Sequence, residues 1–263
     1  MKRLLITGAA GALGGVARAR LGHMADVLRL SDIADMGEAT PNEEIVKADL
    51  ADPDAVMDLV AGCDGVVHFG GVSRERGFEE VLHGNIRGIF NLYEAVRAHR
   101  AGRVFFASSN HAIGFYPQEQ RLTADVPPIA DSLYGASKVY GEQIALIYWH
   151  KYGVETARVR IGSCFPAPTN RRMLSTWLGY DDLISMIERV FRAPHLGCPV
   201  IWGVSDNASA LWDNASAGYI GWRPTQSSQP WREAIEAADP TPAPDDPQNR
   251  WHGGAFTAEP VRR

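Results

Sequence analysis

Tyr134 and Lys138 stand four residues apart in YGASK, at the start of a run whose pattern predicts a helix over 134–152. That spacing puts two side chains on one helix face. An ammonium beside a phenol favours the phenolate, so Tyr134 is a candidate general base and Lys138 its activator. Taken alone, the pair also fits an ordinary amphipathic helix. Upstream, an apolar run over 103–108 ends in Ser108, Ser109 and Asn110. A serine hydroxyl at such a strand end could hold the oxygen whose proton the base removes. Side chains of these types can deprotonate and orient an alcohol, but oxidising it requires a separate hydride acceptor.

The N-terminal segment supplies a place for one. Residues 5–14 read LITGAAGALG, an apolar strand running into glycines and then a helix. Glycines permit a tight turn and a close backbone approach to a pyrophosphate, and a helix N-terminus offers it free N–H groups. Gly8, Gly11, Ala12, Leu13 and Gly14 are therefore assigned to a dinucleotide. Asp32 lies 18 residues after Gly14, at the end of the second apolar run. A carboxylate there accepts from both ribose hydroxyls and repels a 2′-phosphate, which selects NAD over NADP. No Arg or Lys follows Asp32 closely. Asp49 and Leu50 close the third apolar run, with Asp49 placed to meet an adenine amino group. Gly70 follows the fourth run, in a further backbone-exposing turn. A bare glycine turn that binds nothing is the plain alternative.

Elements that could position these residues are legible along the chain. Strands are expected at 3–7, 27–31, 44–47, 65–69, 103–108 and 156–161, and helices at 14–21, 54–60, 79–99, 134–152 and 181–192. Asp52-Pro53 is a good helix start, an acidic N-cap followed by proline. Near-continuous apolar strands alternating with helices imply an α/β fold, a doubly wound parallel sheet of Rossmann type. Composition then shifts. Five of seven tryptophans lie after position 200, and residues 239–248 read DPTPAPDDPQ, an extended proline-rich stretch. The expectation is a single Rossmann-type domain, with residues 1–165 mainly the NAD-binding core. Residues 166–263 would be mainly a small, loop-rich substrate cap.

Several classes are excluded. The net charge of −5 over 263 residues offers nothing to neutralise phosphates, so no nucleic-acid partner is expected. No stretch is apolar for long enough to span a membrane. Cys63, Cys164 and Cys198 are too few and scattered for a disulfide framework or a zinc site, which points to a cytoplasmic setting. The histidines show no metal spacing.

Together, TGxxGxxG, Asp32, the strand-end serines and YxxxK resemble the short-chain dehydrogenase/reductase superfamily in its extended, sugar-handling branch, over about the first 165 residues. The resemblance implies that Tyr134 is the base, that Lys138 also holds the nicotinamide ribose and that Ser109 orients the reacting oxygen. A closer likeness runs nearly the full chain. FASSNHAIG at 106–114, RIGSC at 160–164, NRRMLSTW at 170–177 and GCPVIWG at 197–203 resemble the bacterial uronate dehydrogenases. Those enzymes oxidise glucuronate or galacturonate at C1, giving the aldarolactone and NADH. The likeness implies a substrate site of Ser73, Ser109, Asn110, His111, Tyr134, Ser163 and Arg172. Arg172 is the natural bidentate partner for the C6 carboxylate. The other four beside Ser109 and Tyr134 would bind ring hydroxyls. Ser73 and Ser163 read equally as turn residues, His111 as a structural histidine and Arg172 as a solvated loop charge; Arg171 has no assigned role.

Two rival readings remain. A nucleotide-sugar epimerase or dehydratase of the same family needs a larger C-terminal segment than the roughly 95 residues present. A non-catalytic NAD sensor would have no use for the Tyr–Lys pair. By analogy with the fold, the helix at 79–99 is a plausible surface for a homo-oligomer.

Overall fold

The computed structural model describes every residue except Pro240, Pro242, Pro244 and Arg263. Part of the stretch read as extended at 239–248 therefore lies outside the described residues.

Six strands appear within a residue or so of expectation: β1 (Arg3–Thr7), β2 (Val27–Asp32), β3 (Glu43–Lys47), β4 (Gly65–His68), β5 (Arg103–Ser109) and β6 (Glu155–Ile161). After them come two short strands, β7 (Ser163–Cys164) and β8 (Trp177–Leu178), which pair with each other. A last strand, β9 (Val200–Gly203), joins the main sheet beside β6. The order is β3-β2-β1-β4-β5-β6-β9 and every neighbouring pair is parallel. The seventh strand corrects the reading of the last third as one helix and loops. Its four residues follow a proline and lead into loops rather than a helical pattern, so nothing around them marks a strand.

The helices form where their ends are chemically marked. α1 (Ala12–Arg20) starts directly after Gly11. α2 (Pro53–Val60) is capped by Asp52, whose carboxylate accepts the N–H groups of Asp54 and Ala55. The long helix expected at 79–99 is α3 (Phe78–Val81), a π-helical turn over Leu82–Arg87, and α4 (Gly88–His99). α5 (Leu133–Tyr152) is capped by Ser132 and ends at Gly153 in a left-handed conformation. Then follow α6 (Met173–Thr176), α7 (Tyr180–Arg192), α8 (Arg232–Ala238) and α9 (Pro247–Arg250).

Successive residues of each strand face opposite sides of the sheet. Leu4, Ile6, Phe105 and Val159 pack with α1 and α7 on one side. Leu5, Val66, Val104 and Phe106 pack with α2, α4 and α5 on the other. A third cluster holds Trp202 and Trp212 stacked on each other, so these tryptophans are packing. The chain reverses its sheet order between β1 and β4, which opens a crevice at the carboxyl ends of the strands.

Candidate active site

A cleft of about 620 Å³ fills that crevice. Thirteen of the predicted residues line it: Gly8, Gly11, Ala12, Leu13, Gly14, Asp32, Asp49, Leu50, Gly70, Ser73, Ser109, Tyr134 and Lys138. Asn110, His111, Ser163 and Arg172 form an adjoining cluster, joined to the cleft through Ser109 and Tyr134.

The glycine turn needs its glycines. Gly8 has φ of +71°, and a Cβ there would lie 2.7 Å from the backbone nitrogen of Gly70. A Cβ on Gly14 would lie 2.0 Å from the Gly8 carbonyl oxygen. No side chain among the described residues caps α1, and Gly11, Ala12 and Leu13 at its start line the cleft. Asp32 closes the far side of the turn. Its oxygens accept the N–H groups of Ala10 and Ala34, both at 3.0 Å. A carboxylate has about four acceptor positions, so two remain. Asp49 accepts from Ala51 N–H and pairs with His83, each at 2.9 Å, and these contacts hold it below the usual carboxylate range. Below the crevice, His68 pairs with the Thr7 hydroxyl at 2.7 Å. Burial, with Lys138 adding to it, pushes His68 down to about 3 and keeps it uncharged.

β5 delivers Ser109 and α5 delivers Tyr134 and Lys138 to one corner. The Ser109 oxygen accepts the His111 N–H at 3.2 Å, and its hydroxyl is near enough to the Tyr134 hydroxyl to favour the phenolate. The Lys138 ammonium lies 5.5 Å from the centre of the Tyr134 ring. The helical spacing therefore brings the pair together. Its expected consequence does not hold in the cleft as it stands. Burial pushes the phenol up to about 12, with the Ser109 hydroxyl opposing and the Asp131 charge reinforcing it. Burial also pushes the ammonium down to about 8.

Two residues that sequence reasoning missed hold the loop carrying Ser73. Asn85, inside the π-helical turn, accepts the Val72 N–H at 2.8 Å and donates to the Val72 carbonyl at 3.1 Å and the Ser137 hydroxyl at 2.8 Å. Gly71 makes room for it: a Cβ there would lie 2.4 Å from the Asn85 amide oxygen. Glu75 is buried and accepts backbone N–H groups from the start of α5. Neither has a spacing signal, because their partners are backbone atoms and, for Asn85, a hydroxyl 52 residues on.

Arg172 is embedded rather than solvated. It donates from Nε and Nη2 to the His252 carbonyl at 3.2 and 2.7 Å, and from Nη1 to the Ser163 hydroxyl at 3.2 Å. Asn110 suits its surroundings with its amide oxygen accepting from Arg172 Nη2 at 2.7 Å and its nitrogen donating to the Ile161 carbonyl at 3.2 Å. Among the described residues no carboxylate pairs with Arg172. Burial pushes the guanidinium down to about 10, opposed by the charge of Asp131. Ser163 also bonds Thr176 at 2.9 Å. Arg171 turns away and donates to the carbonyls of Glu236 and Asp239, docking α8. His111 pairs with Asp131, stacks on Phe256 and meets Tyr134 edge-on.

A parallel sheet in this order, with a glycine turn at its switch point and a Ser–Tyr–Lys corner, defines a dinucleotide-using dehydrogenase/reductase. The matched family model, spanning residues 4–179, narrows the class: the chain belongs to the NAD dependent epimerase/dehydratase family. It is 56% identical to the uronate dehydrogenase of Agrobacterium fabrum, over 99% of this chain and 98% of that one. To the uronate dehydrogenase of Pseudomonas putida it is 53% identical, over 97% and 95%. The crystal structure of uronate dehydrogenase from Agrobacterium tumefaciens matches with a TM-score of 0.98 at 55% identity, covering 100% of this chain and 99% of that one. A tyrosine-to-alanine mutant of that enzyme was solved complexed with NAD. No helix among the described residues is long and apolar enough to cross a membrane.

Proposed function

We propose that this chain oxidises a hexuronic acid, glucuronate or galacturonate, at C1 to the aldarolactone with NAD as acceptor. The observation that carries the reading is Arg172, a half-buried guanidinium with no carboxylate partner among the described residues, in the cluster that adjoins the Ser109–Tyr134 corner. A sugar carboxylate answers that charge. The identity to uronate dehydrogenases over nearly the whole chain supports it.

The residues present fit the cofactor. The crowded backbones of Gly8 and Gly14 leave only main chain facing the cleft, and Asp32 retains free acceptor positions. Gly8, Gly11, Ala12, Leu13 and Gly14 hold the pyrophosphate and Asp32 the ribose hydroxyls. Asp49, Leu50 and Gly70 border the adenine and the centre of the cleft, and Lys138 holds the second ribose. When bound, NAD supplies the hydride acceptor. Arg172 binds the C6 carboxylate, and Ser73, Asn110, His111 and Ser163 take ring hydroxyls. Ser109 orients the C1 hydroxyl, and the Tyr134 oxygen removes its proton. A closed ring oxidised at C1 is already a lactone, so the step needs no water.

The same reading makes the chain one Rossmann-type domain, with residues 1–165 the cofactor core and 166–263 the cap that also returns β9 to the sheet. It makes the protein cytoplasmic and a homo-oligomer that uses the face of α3 and α4, where Phe78 and Phe90 are exposed. Purified protein mixed with NAD and either uronate should generate NADH absorbance. Turnover of a nucleotide sugar with neither uronate active would overturn the reading.

A further inference from the structure

Asp131 has no assigned role, yet its side chain is wholly withdrawn from solvent beside the site. One carboxylate oxygen lies 2.7 Å from His111 Nδ1, and the other accepts the Ser132 hydroxyl at 2.7 Å. Two glycines leave it space: a Cβ on Gly114 or on Gly253 would fall 1.8 or 1.9 Å from the oxygen facing His111. These glycines come from distant parts of the chain and are bonded to each other, Gly253 N–H to Gly114 carbonyl, at 2.9 Å.

The imidazole it meets is fixed on every side. Its backbone N–H bonds Ser109, and its carbonyl accepts the Asp131 N–H at 3.3 Å. Phe256 stacks on the ring with centroids 3.9 Å apart, and Tyr134 meets it edge-on at 5.8 Å. Nε2 has no protein partner among the described residues. A neutral imidazole that donates from Nδ1 has only an acceptor at Nε2.

We propose that Asp131 is a positioning residue for the oxidation: it holds His111 as the Nδ1–H tautomer, so that Nε2 accepts a hydroxyl proton of the bound sugar beside Tyr134. The inference rests on the uronate reading for its substrate. A serine hydrolase aspartate acts on its histidine in the same physical sense, by choosing which nitrogen is bare.

The test combines a mutant cycle with a direct view of the ring. Asp131→Asn keeps shape but removes the charge that demands Nδ1–H. Asp131→Asn and His111→Ala should each lower kcat/KM for the uronate by on the order of tenfold or more, while NADH affinity holds. The double variant should lose no more than His111→Ala alone, because one residue acts through the other. Imidazole nitrogen NMR of wild type, assigned with His111→Ala, should show the Nδ1–H form, and Asp131→Asn should move it toward Nε2–H. Additive losses in the cycle, or an Nε2–H ring in wild type, would overturn the proposal. Absence of uronate turnover in wild type would instead sink the functional reading, and the NMR result would still judge Asp131.

Discussion

The Glu75 carboxylate accepts the backbone N–H of Tyr134 at 2.9 Å and that of Leu133 at 3.3 Å. A negative charge at a helix N-terminus is favourable in itself. Here it also joins the loop carrying Ser73 to the helix carrying the base.

Glu75→Ala should therefore injure chemistry more than cofactor binding. Losing a charged acceptor on two backbone donors, one of them buried, costs about 1–3 kcal/mol. We expect kcat to fall about tenfold and the uronate KM to rise, with NADH affinity nearly unchanged. Glu75→Gln should recover part of the loss, since its amide oxygen still accepts. An unchanged kcat in the alanine variant would separate loop and helix.

Arg172→Ala should raise the uronate KM by roughly 10- to 100-fold, as expected for losing a charge-assisted contact of about 1.5–3 kcal/mol. The KM for NAD should barely move, because Arg172 lies outside the cofactor cleft. Arg172→Lys should rescue little, having no planar fork. Steady-state kinetics in both substrates give the comparison directly, and an unchanged uronate KM would remove Arg172 from the site.

Burial holds the Tyr134 phenol up to about 12. A base works only when deprotonated, so its active fraction grows as pH rises toward that value. We expect kcat/KM for the uronate to climb across the neutral and mildly alkaline range. Tyr134→Phe should reduce turnover by at least about a thousandfold while NADH still binds. A flat profile would argue for another base.

Asp32→Ala should lower kcat/KM for NAD by about 10- to 100-fold and narrow the preference over NADP. Adding Ile33→Arg, at an exposed position lining the cleft, should narrow it further. Parallel assays with the two cofactors report the ratio; an unaltered ratio would contradict the ribose assignment.

Glu142 and Arg160 make a stability prediction. They pair through two bonds of 2.9 and 2.8 Å inside the sheet–α5 layer, and Glu142 also accepts the Ser108 hydroxyl at 2.6 Å. Glu142→Leu strands a buried guanidinium and should cost about 3–5 kcal/mol. Combining it with Arg160→Met should cost less than the single change. Denaturant midpoints of the three variants decide it.

What the sequence disclosed was local. The glycine turn, Asp32 and the Tyr134–Lys138 spacing each lie within one element or one turn, and their geometry follows from period and handedness alone. Apolar runs of four to seven residues marked six strands, whereas the four residues of β9, set among proline- and tryptophan-rich loops, did not stand out. Asp131 carried no signal in the sequence, because its partner His111 lies 20 residues back. The carbonyl that orients Arg172 comes from His252, 80 residues on. The sign of the Tyr134 shift was equally hidden: spacing shows the ammonium, but only the fold shows how much water is gone.

That distant carbonyl has a consequence for how the protein is made. The cofactor cleft draws on residues no later than Phe165, while Arg172 and His111 await His252 and Phe256. A ribosome finishes the dinucleotide pocket roughly a hundred residues before it finishes the sugar pocket. A chain clipped ahead of Trp251 lacks the carbonyl that orients Arg172 and the ring that stacks on His111, so it should lose uronate turnover.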